Sequence, residues 1–403
     1  MDLKSGYPFW AIKNGLMHAF PALRRDLRCE VAVIGGGITA ALIADQLVCH
    51  GHDVVVIEQR DIGWGSTAAS TALLQYEIDT PLRELAKRHG IDAALLAYRA
   101  CAQAIDELQA LAEQVRGVDF QSTLSLYYAS RRGHLRTLLE EYELRERHGF
   151  AVEWLDADGV AEEYGFAAPG AIRSTPAARM DPYRMTYRLL TRLLAQGAQV
   201  YDRSSVTSVT TGTRRVQLRT THGVQVDCEH LVVASGYAAQ DWLKQRVARN
   251  RSSYAVVTDP LPPALLGPLR TTLMWETARP YLYLRSTADN RLLVGGEDDA
   301  IDLPARRDAQ VDRKAARLLA KLRRLFPQLT VQPTFAWAGT FAETEDGLPF
   351  FGAHPQWGPR VHFAMAYGGN GITYSMLGAG LIRAAIEGRR HRLAELFSFR
   401  RLS

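Results

Sequence analysis

The sequence predicts an α/β protein of two domains: a doubly wound, mostly parallel sheet assembled from separate stretches of chain, with a mixed-sheet domain inserted into it. Three observations point there. A strand, a glycine turn, a helix and a second strand follow one another between Glu30 and Ser70. Another strand, glycine turn and helix return from Val361 to Glu387, near the other end of the chain. Between them the pattern changes to short alternating strands, as in Ser122 to Ala129, Val200 to Cys228 and Tyr281 to Gly295, which suit a mixed sheet.

Composition sets the bounds. The 403 residues are 47% hydrophobic and 23% charged, enough for two domains with cores of their own. The net charge of +5 comes from scattered arginine pairs such as Arg131-Arg132 and Arg323-Arg324 among acids. That is the pattern of solvated helix faces, so no nucleic-acid partner is expected. Cys29, Cys49, Cys101 and Cys228 show no C-x-x-C spacing, and neither a metal site nor a disulfide framework is expected. Free cysteines suit a reducing, cytoplasmic location. No apolar run reaches the length of a membrane span.

The first unit reads residue by residue. Val31 to Ile34 is a continuous apolar, β-branched run, as in a strand covered on both faces. Gly35, Gly36 and Gly37 turn the chain into a periodic helix, Ile38 to Cys49, closed by Gly51. Val54 to Ile57 is the second strand and ends in Glu58. This is the dinucleotide-binding arrangement of a Rossmann-like domain. Gly35 makes the turn, Gly37 lets backbone approach a pyrophosphate at the helix N-terminus opened by Ile38 and Thr39, and Ala40 permits close helix–strand packing. Glu58, with Gln59 beside it, accepts hydrogen bonds from both ribose hydroxyls, and its charge repels a 2′-phosphate, which disfavours NADP. Asp61 to Ser70 is a run of small residues around Trp64. It leaves room for a large planar ligand, with Gly65, Ser66 and Thr67 placed to meet phosphates.

The chain before this unit, residues 1–26, is read as an arm whose Phe9, Trp10 and Phe20 pack on the main domain. After it, Pro81 starts one long helical segment with core positions Leu82, Leu85, Leu95, Ile105, Leu108 and Leu111. A charged helix, Leu135 to His148, and an amphipathic one, Met185 to Leu194, follow. Gly212 and Gly223 mark hairpin turns, and Leu231 to Ala234 is a buried strand ending at Gly236. Tyr281 to Arg285 and Arg291 to Gly295 form a hairpin around Asp289-Asn290. Val311 to Leu325 reads as a solvated basic helix.

The last section brings negative-charge chemistry. Val361 to Ala366 leads through Tyr367-Gly368-Gly369-Asn370-Gly371 into a helix that runs to about Glu387. A helix N-terminus stabilises negative charge through its exposed N–H groups. A reduced flavin carries such charge over N1 and the C2 carbonyl, whereas an NAD domain has no need of this element. FAD is therefore expected, with its pyrimidine edge facing Gly369, Asn370, Gly371, Ile372 and Thr373. The expected division is 27–115, 179–245 and 336–403 in the FAD-binding domain, and 116–178 and 246–335 in the substrate domain.

With these pieces in order, VAVIGGGITAALIADQL, VIEQRDIGWGSTAAS, MDPYRMTYRLL, VVASGY, YLYLRSTADNRLLVGGEDD, ETEDGLPFFG and YGGNGITYSMLGAGLI, the chain resembles the D-amino-acid oxidase family of FAD-dependent oxidoreductases. That group includes glycine, sarcosine and γ-glutamylputrescine oxidases. The resemblance implies that Val206 meets the adenine through its backbone and that Gly236 passes beside the pyrophosphate. It implies oxidation of a C–N bond by hydride transfer to flavin N5, giving an imine that water hydrolyses. The partners implied are a small amine or amino acid and an electron acceptor, O₂ or another.

Two departures qualify the resemblance. Phe341 stands where glycine oxidase-like members place a carboxylate-clamping Arg, and Gly339 stands where covalent members carry a Cys, so dissociable FAD is expected. The substrate-pocket candidates are Tyr283, Arg285, Tyr374 and Phe341, with Arg285 as the remaining carboxylate ligand. Glu343, Glu345 and Asp346 either attract a cationic amine or shape a turn. The alternatives are a dehydrogenase of the same fold acting on a C–OH substrate with a non-oxygen acceptor, and a flavin-binding subunit without turnover.

Overall fold

The computed structural model describes residues 2–300 and 303–402. Its first eight strands are β1 Leu27–Ile34, β2 Val54–Ile57, β3 Leu73–Gln75, β4 Gln121–Tyr128, β5 Val152–Asp156, β6 Gly170–Arg179, β7 Gln199–Tyr201 and β8 Val206–Thr211. Next come β9 Val216–Thr220, β10 Gln225–Val233, β11 Arg249–Thr258, β12 Thr272–Glu276 and β13 Leu282–Ser286. The last four are β14 Leu292–Asp299, β15 Pro333–Glu343, β16 Phe350–Ala353 and β17 Val361–Met365. Two sheets contain them all. One has the order β16-β17-β10-β1-β2-β7, with β9 and β8 added beyond β10. The other runs β15-β11-β14-β13-β12-β4-β6-β3, with β5 on β6.

The first sheet is parallel at its centre, where β1 pairs with both β2 and β10. Val31, Ala32 and Val33 are fully buried, because helices Ile38–Val48 and Gly371–Ile386 cover one face and a second apolar cluster covers the other. These two helices pack on each other, joined by a hydrogen bond of 2.8 Å between the Thr39 and Ser375 hydroxyls. Both N-termini therefore open at the same edge of the sheet, beyond the carboxyl ends of β1 and β17, where α/β sheets bind ligands.

Several elements differ from the sequence reading, each for a local reason. The segment after Pro81 is two helices, Leu82–His89 and Ile91–Val115, because Gly90 takes φ +81° between them. β10 is one strand that holds β9 with its first half and β1 along its whole length. β16, unmarked in the sequence, forms a hairpin with β17. The helix Val311–Leu325 is solvated on one face only; Leu318, Leu319 and Leu322 are core, and Lys314 Nζ is buried against the Glu297 carbonyl at 2.7 Å. Finally, β3 lies in the second sheet although β2 before it belongs to the first, and β15 lies in the second although β16 after it belongs to the first. The chain thus crosses between the sheets at these points.

The N-terminal arm is held by the second sheet. Ser5 N–H donates to the Ala338 carbonyl at 3.0 Å, and Thr340 N–H donates to the Leu3 carbonyl at 2.8 Å. Phe9, Trp10 and Phe20 are buried, and Trp10 Nε1 donates to the Ser70 carbonyl at 2.7 Å.

Candidate active site

A single continuous cavity runs between the two sheets and gathers most of the residues singled out in the sequence. Gly35, Gly37, Ile38 and Thr39, Glu58 and Gln59, Gly65, Ser66 and Thr67, Val206 and Gly236, and Gly369 to Ile372 all line it. So do Tyr283 and Phe341.

The nucleotide end is built by close backbone approach. Gly35 adopts φ +120°, and a Cβ there would stand 2.3 Å from the Ala234 carbonyl oxygen, so only glycine lets β1 turn against β10. Glu58 sits at the tip of β2, where its two carboxylate oxygens accept the N–H groups of Gly36 at 2.6 Å and Arg60 at 2.8 Å. Burial raises its pKa, against the pull of those N–H groups and the Arg60 charge. Thr67 Oγ1 accepts the Ile38 N–H at 2.9 Å, which ties the small-residue loop to the helix N-terminus.

At the far end of the cavity the helix Gly371–Ile386 presents its N-terminus. Asn370, just before it, donates through Nδ2 to the carbonyls of Gln75 and Glu77 at 3.0 and 2.7 Å. Its side chain is thus an anchor that fixes the helix entry. Gly369 N–H donates to Asp79 Oδ2 at 2.7 Å.

The remaining wall is aromatic. Tyr281, just before β13, and Tyr283 within it both line the cavity, with Trp275 from β12 and Phe341 from β15. The sequence places two glycines on β14 to make this room. Tyr283 pairs across the strands with Gly295, where a Cβ would meet the Tyr283 ring at 2.3 Å. Gly296 has φ +128°, and a Cβ there would stand 1.9 Å from the Tyr281 carbonyl oxygen. Burial pushes the Tyr283 hydroxyl up to about 12, so it stays protonated near neutrality.

Three candidates lie outside the cavity lining. Arg285 is the main correction. It is buried, and its Nε, Nη1 and Nη2 donate to the carbonyls of Thr71, Ser286 and Met180 at 2.6, 3.1 and 3.0 Å. Strand alternation put it on the face expected, but that face packs on the chain after Ser70 and over Trp10. Tyr374 is core, its hydroxyl donating to the Gly347 carbonyl at 2.8 Å. Thr373 is buried and directs Oγ1 to the Gln75 carbonyl at 3.4 Å. Of the three C-terminal acids, none lines the cavity: Glu343 pairs with Arg251 at 2.5 Å, and Asp346 accepts the Leu348 N–H and Arg401.

Conversely, Asp79, Ser253, Trp275, Tyr281 and Ser235 line the cavity and were not singled out. Asp79 follows a strand of three residues whose pairing is long-range, so no local pattern marks it. Tyr281 carried a signal in the YLYLR alternation.

The cavity fits FAD. The hydroxyls of Ser66 and Ser235 are buried in its wall and have no hydrogen-bond partner among the described residues. The glycine turn admits a pyrophosphate, and Glu58 and the last helix N-terminus stand at opposite ends, as an adenosine ribose and a flavin pyrimidine require. Fold and cavity together define an FAD-binding oxidoreductase built on two mixed sheets.

Comparison with known proteins places it further. The family model "FAD dependent oxidoreductase" (DAO) matches residues 30–385, and the chain belongs to that family. Gamma-glutamylputrescine oxidoreductase of Escherichia coli (strain K12) is 27% identical over 95% of this chain and 89% of its own length. Glycine oxidase of Geobacillus kaustophilus (strain HTA426) is 28% identical over 92% and 96%. The crystal structure of glycine oxidase from Geobacillus kaustophilus superposes with a TM-score of 0.76, at 23% identity, over 92% of this chain and 98% of that one. The L-proline dehydrogenase of P. horikoshii gives 0.77 at 18% identity, over 94% and 99%. The protein is an FAD-dependent oxidoreductase, and no helix among its described residues is long and apolar enough to cross a membrane.

Proposed function

We propose that the protein oxidises the C–N bond of a small amine or amino acid, with FAD held non-covalently. The observation that carries this is the continuity of the cavity: the glycine turn and the last helix N-terminus open into the same space as Tyr283, Phe341 and Trp275. FAD supplies the two-electron acceptor for such an oxidation. The chain supplies position and exclusion of water. Trp275 is fixed by stacking on Tyr127, with ring centroids 3.6 Å apart, and by its Nε1 donating to Ser125 at 3.2 Å. Tyr283 stands against Gly295 and near Ser253, 3.3 Å between hydroxyls.

Among the described residues no Lys or His belongs to the lining, and Tyr283 keeps its proton. The reacting nitrogen therefore arrives already neutral, and the rate of reduction rises with pH as the substrate amine deprotonates. The lining also holds no Cys, and Gly339 offers no side chain, which supports dissociable FAD. The names of the relatives, oxidases and oxidoreductases of amines and amino acids, agree with this reading.

Anaerobic mixing tests it. Amines or amino acids are expected to bleach the flavin absorbance, and 2-hydroxy acids and polyol phosphates to leave it unchanged. Bleaching by the hydroxy compounds alone would replace C–N by C–OH oxidation.

A further inference from the structure

Charge is unevenly divided along the cavity. Its charged lining side chains are Glu58, Arg60, Asp79 and Asp241. Arg60, the single cation among them, lies beside Glu58 at the nucleotide end, Nε 4.0 Å from the carboxylate. Asp241 belongs to the turn Gly236–Trp242 after β10. Around Trp275, Tyr281, Tyr283 and Phe341 the charged group is Asp79.

The Asp79 carboxylate accepts the Gly369 N–H at 2.7 Å and the Tyr281 hydroxyl at 3.2 Å. Both donors are neutral main-chain or hydroxyl groups, no cation pairs with the carboxylate oxygens among the described residues, and acceptor capacity is left. Arg279 stands 4.2 Å above the Tyr281 ring centroid and donates at 3.2 Å to the Asp79 main-chain carbonyl, but it is exposed and outside the lining. A second acid adds to the field. Asp298, three residues beyond Gly295 on β14, has a buried Oδ1 without a partner among the described residues. Its pKa is pushed up to about 6, chiefly by burial, with Asp79 and Glu343 adding to it against Ser253 and Arg279.

An aromatic pocket with carboxylates and no cation has a definite preference. Ring faces attract ammonium groups, and the Asp79 carboxylate, 3.2 Å from the Tyr281 hydroxyl, reinforces that. A substrate carboxylate would enter unpaired beside like charge, which is costly, because Arg285 is committed to three main-chain carbonyls. We propose that the substrate is an amine without a carboxylate next to the oxidised carbon. It carries a second, protonated or quaternary nitrogen that Asp79 holds against Tyr281, Tyr283 and Trp275. This rests on the C–N reading above and names the substrate class for it.

The test separates the two. Calorimetric titration of the FAD-loaded protein uses tetramethylammonium and pivalate, ions of similar size and opposite charge that cannot be oxidised as amines. Tetramethylammonium is expected to bind at least tenfold more tightly. Asp79→Asn removes the charge while its carbonyl oxygen still accepts the Gly369 N–H and its Nδ2 can donate to the Tyr281 hydroxyl. It is expected to weaken the cation at least tenfold with the FAD-to-protein ratio unchanged. Pivalate binding as tightly as the cation, no binding of the cation, or an Asp79→Asn protein with its preference intact would overturn the proposal.

Anaerobic bleaching by 1,4-diaminobutane and by simple amino acids is read in parallel. Faster bleaching by the diamine, abolished in Asp79→Asn, supports the substrate class; faster bleaching by amino acids refutes it and leaves C–N oxidation standing. Cation binding lost in Asp79→Asn with no bleaching by either set would instead overturn the C–N reading and keep the cation site.

Discussion

Gly295→Ala isolates the substrate wall from the cofactor. The added methyl would stand 2.3 Å from Tyr283 Cε2 and 2.4 Å from its Cζ, against the 3.4 Å at which ordinary contact begins, so the ring must retreat by about 1.1 Å. Trp275, stacked between Tyr127 and the cavity, and Tyr281, 5.8 Å away between ring centroids, limit the directions open to it. Overpacking of this kind costs about 1–3 kcal/mol, and a ring forced off its rotamer accounts for about 0.5–1.5 of that. If the displaced ring is the one that meets substrate, the concentration giving half-maximal anaerobic reduction should rise about 5- to 150-fold. The FAD-to-protein absorbance ratio should stay unchanged, because the atoms nearest the added methyl all belong to the Tyr283 ring. Urea unfolding should show the loss of stability independently. A variant that sheds FAD but is reduced at unaltered substrate concentrations would refute the assignment of Tyr283, and so would one that loses only stability.

Three more expectations follow from single observations. Acid precipitation should leave all the flavin in the supernatant, since the lining contains no Cys or His to bond it; a yellow pellet would contradict that. Arg285→Leu should lower stability by several kcal/mol, at about 1–3 for each of the two buried carbonyls it abandons, those of Ser286 and Met180, with the substrate dependence of reduction unmoved; a tenfold shift in that dependence at full stability would restore the carboxylate clamp. Asp298→Asn should stabilise the protein at pH 8 and hardly at pH 4. A folded-state pKa raised to about 6 from 3.8 means the favourable contribution is complete below the unfolded value and is lost as pH rises through about 6, a difference of at most about 3 kcal/mol. Equal urea midpoint shifts at both pH values would remove Asp298 as an ionising group.

The convergence of the glycine turn and the strand-tip acid on one cavity was legible in the sequence because backbone does the work there. Gly35 is required by φ +120° and by the Ala234 carbonyl, and Glu58 by its place at the tip of a strand. Such requirements are local and leave a fixed spacing. The substrate half is set by side chains brought together from β12, β13 and β15 and from the segment after β3, whose order in the sheet no local spacing records. Arg285 illustrates the limit. Alternation along β13 put it on a named face, but what covers that face is residue Thr71, 214 positions away. Asp79 illustrates the converse, since it follows the shortest kind of strand and meets its partners 202 and 290 positions on.

Two of the crossings between the sheets, at β3 and β15, explain why the acid sits where it does. β3 and β15 leave the nucleotide domain to pair in the second sheet, and both contribute to the cavity at the point of crossing: Asp79 four residues after β3, Phe341 within β15. Asp79 then bridges the sheets, with one oxygen on the N–H of Gly369 at the first sheet's last helix and the other on Tyr281 of the second. A ligand charge placed there is felt by both halves at once. Here Phe341 contributes no cation, Arg285 is turned away and Asp79 is turned in, so the shared FAD chemistry would be directed at a positively charged amine.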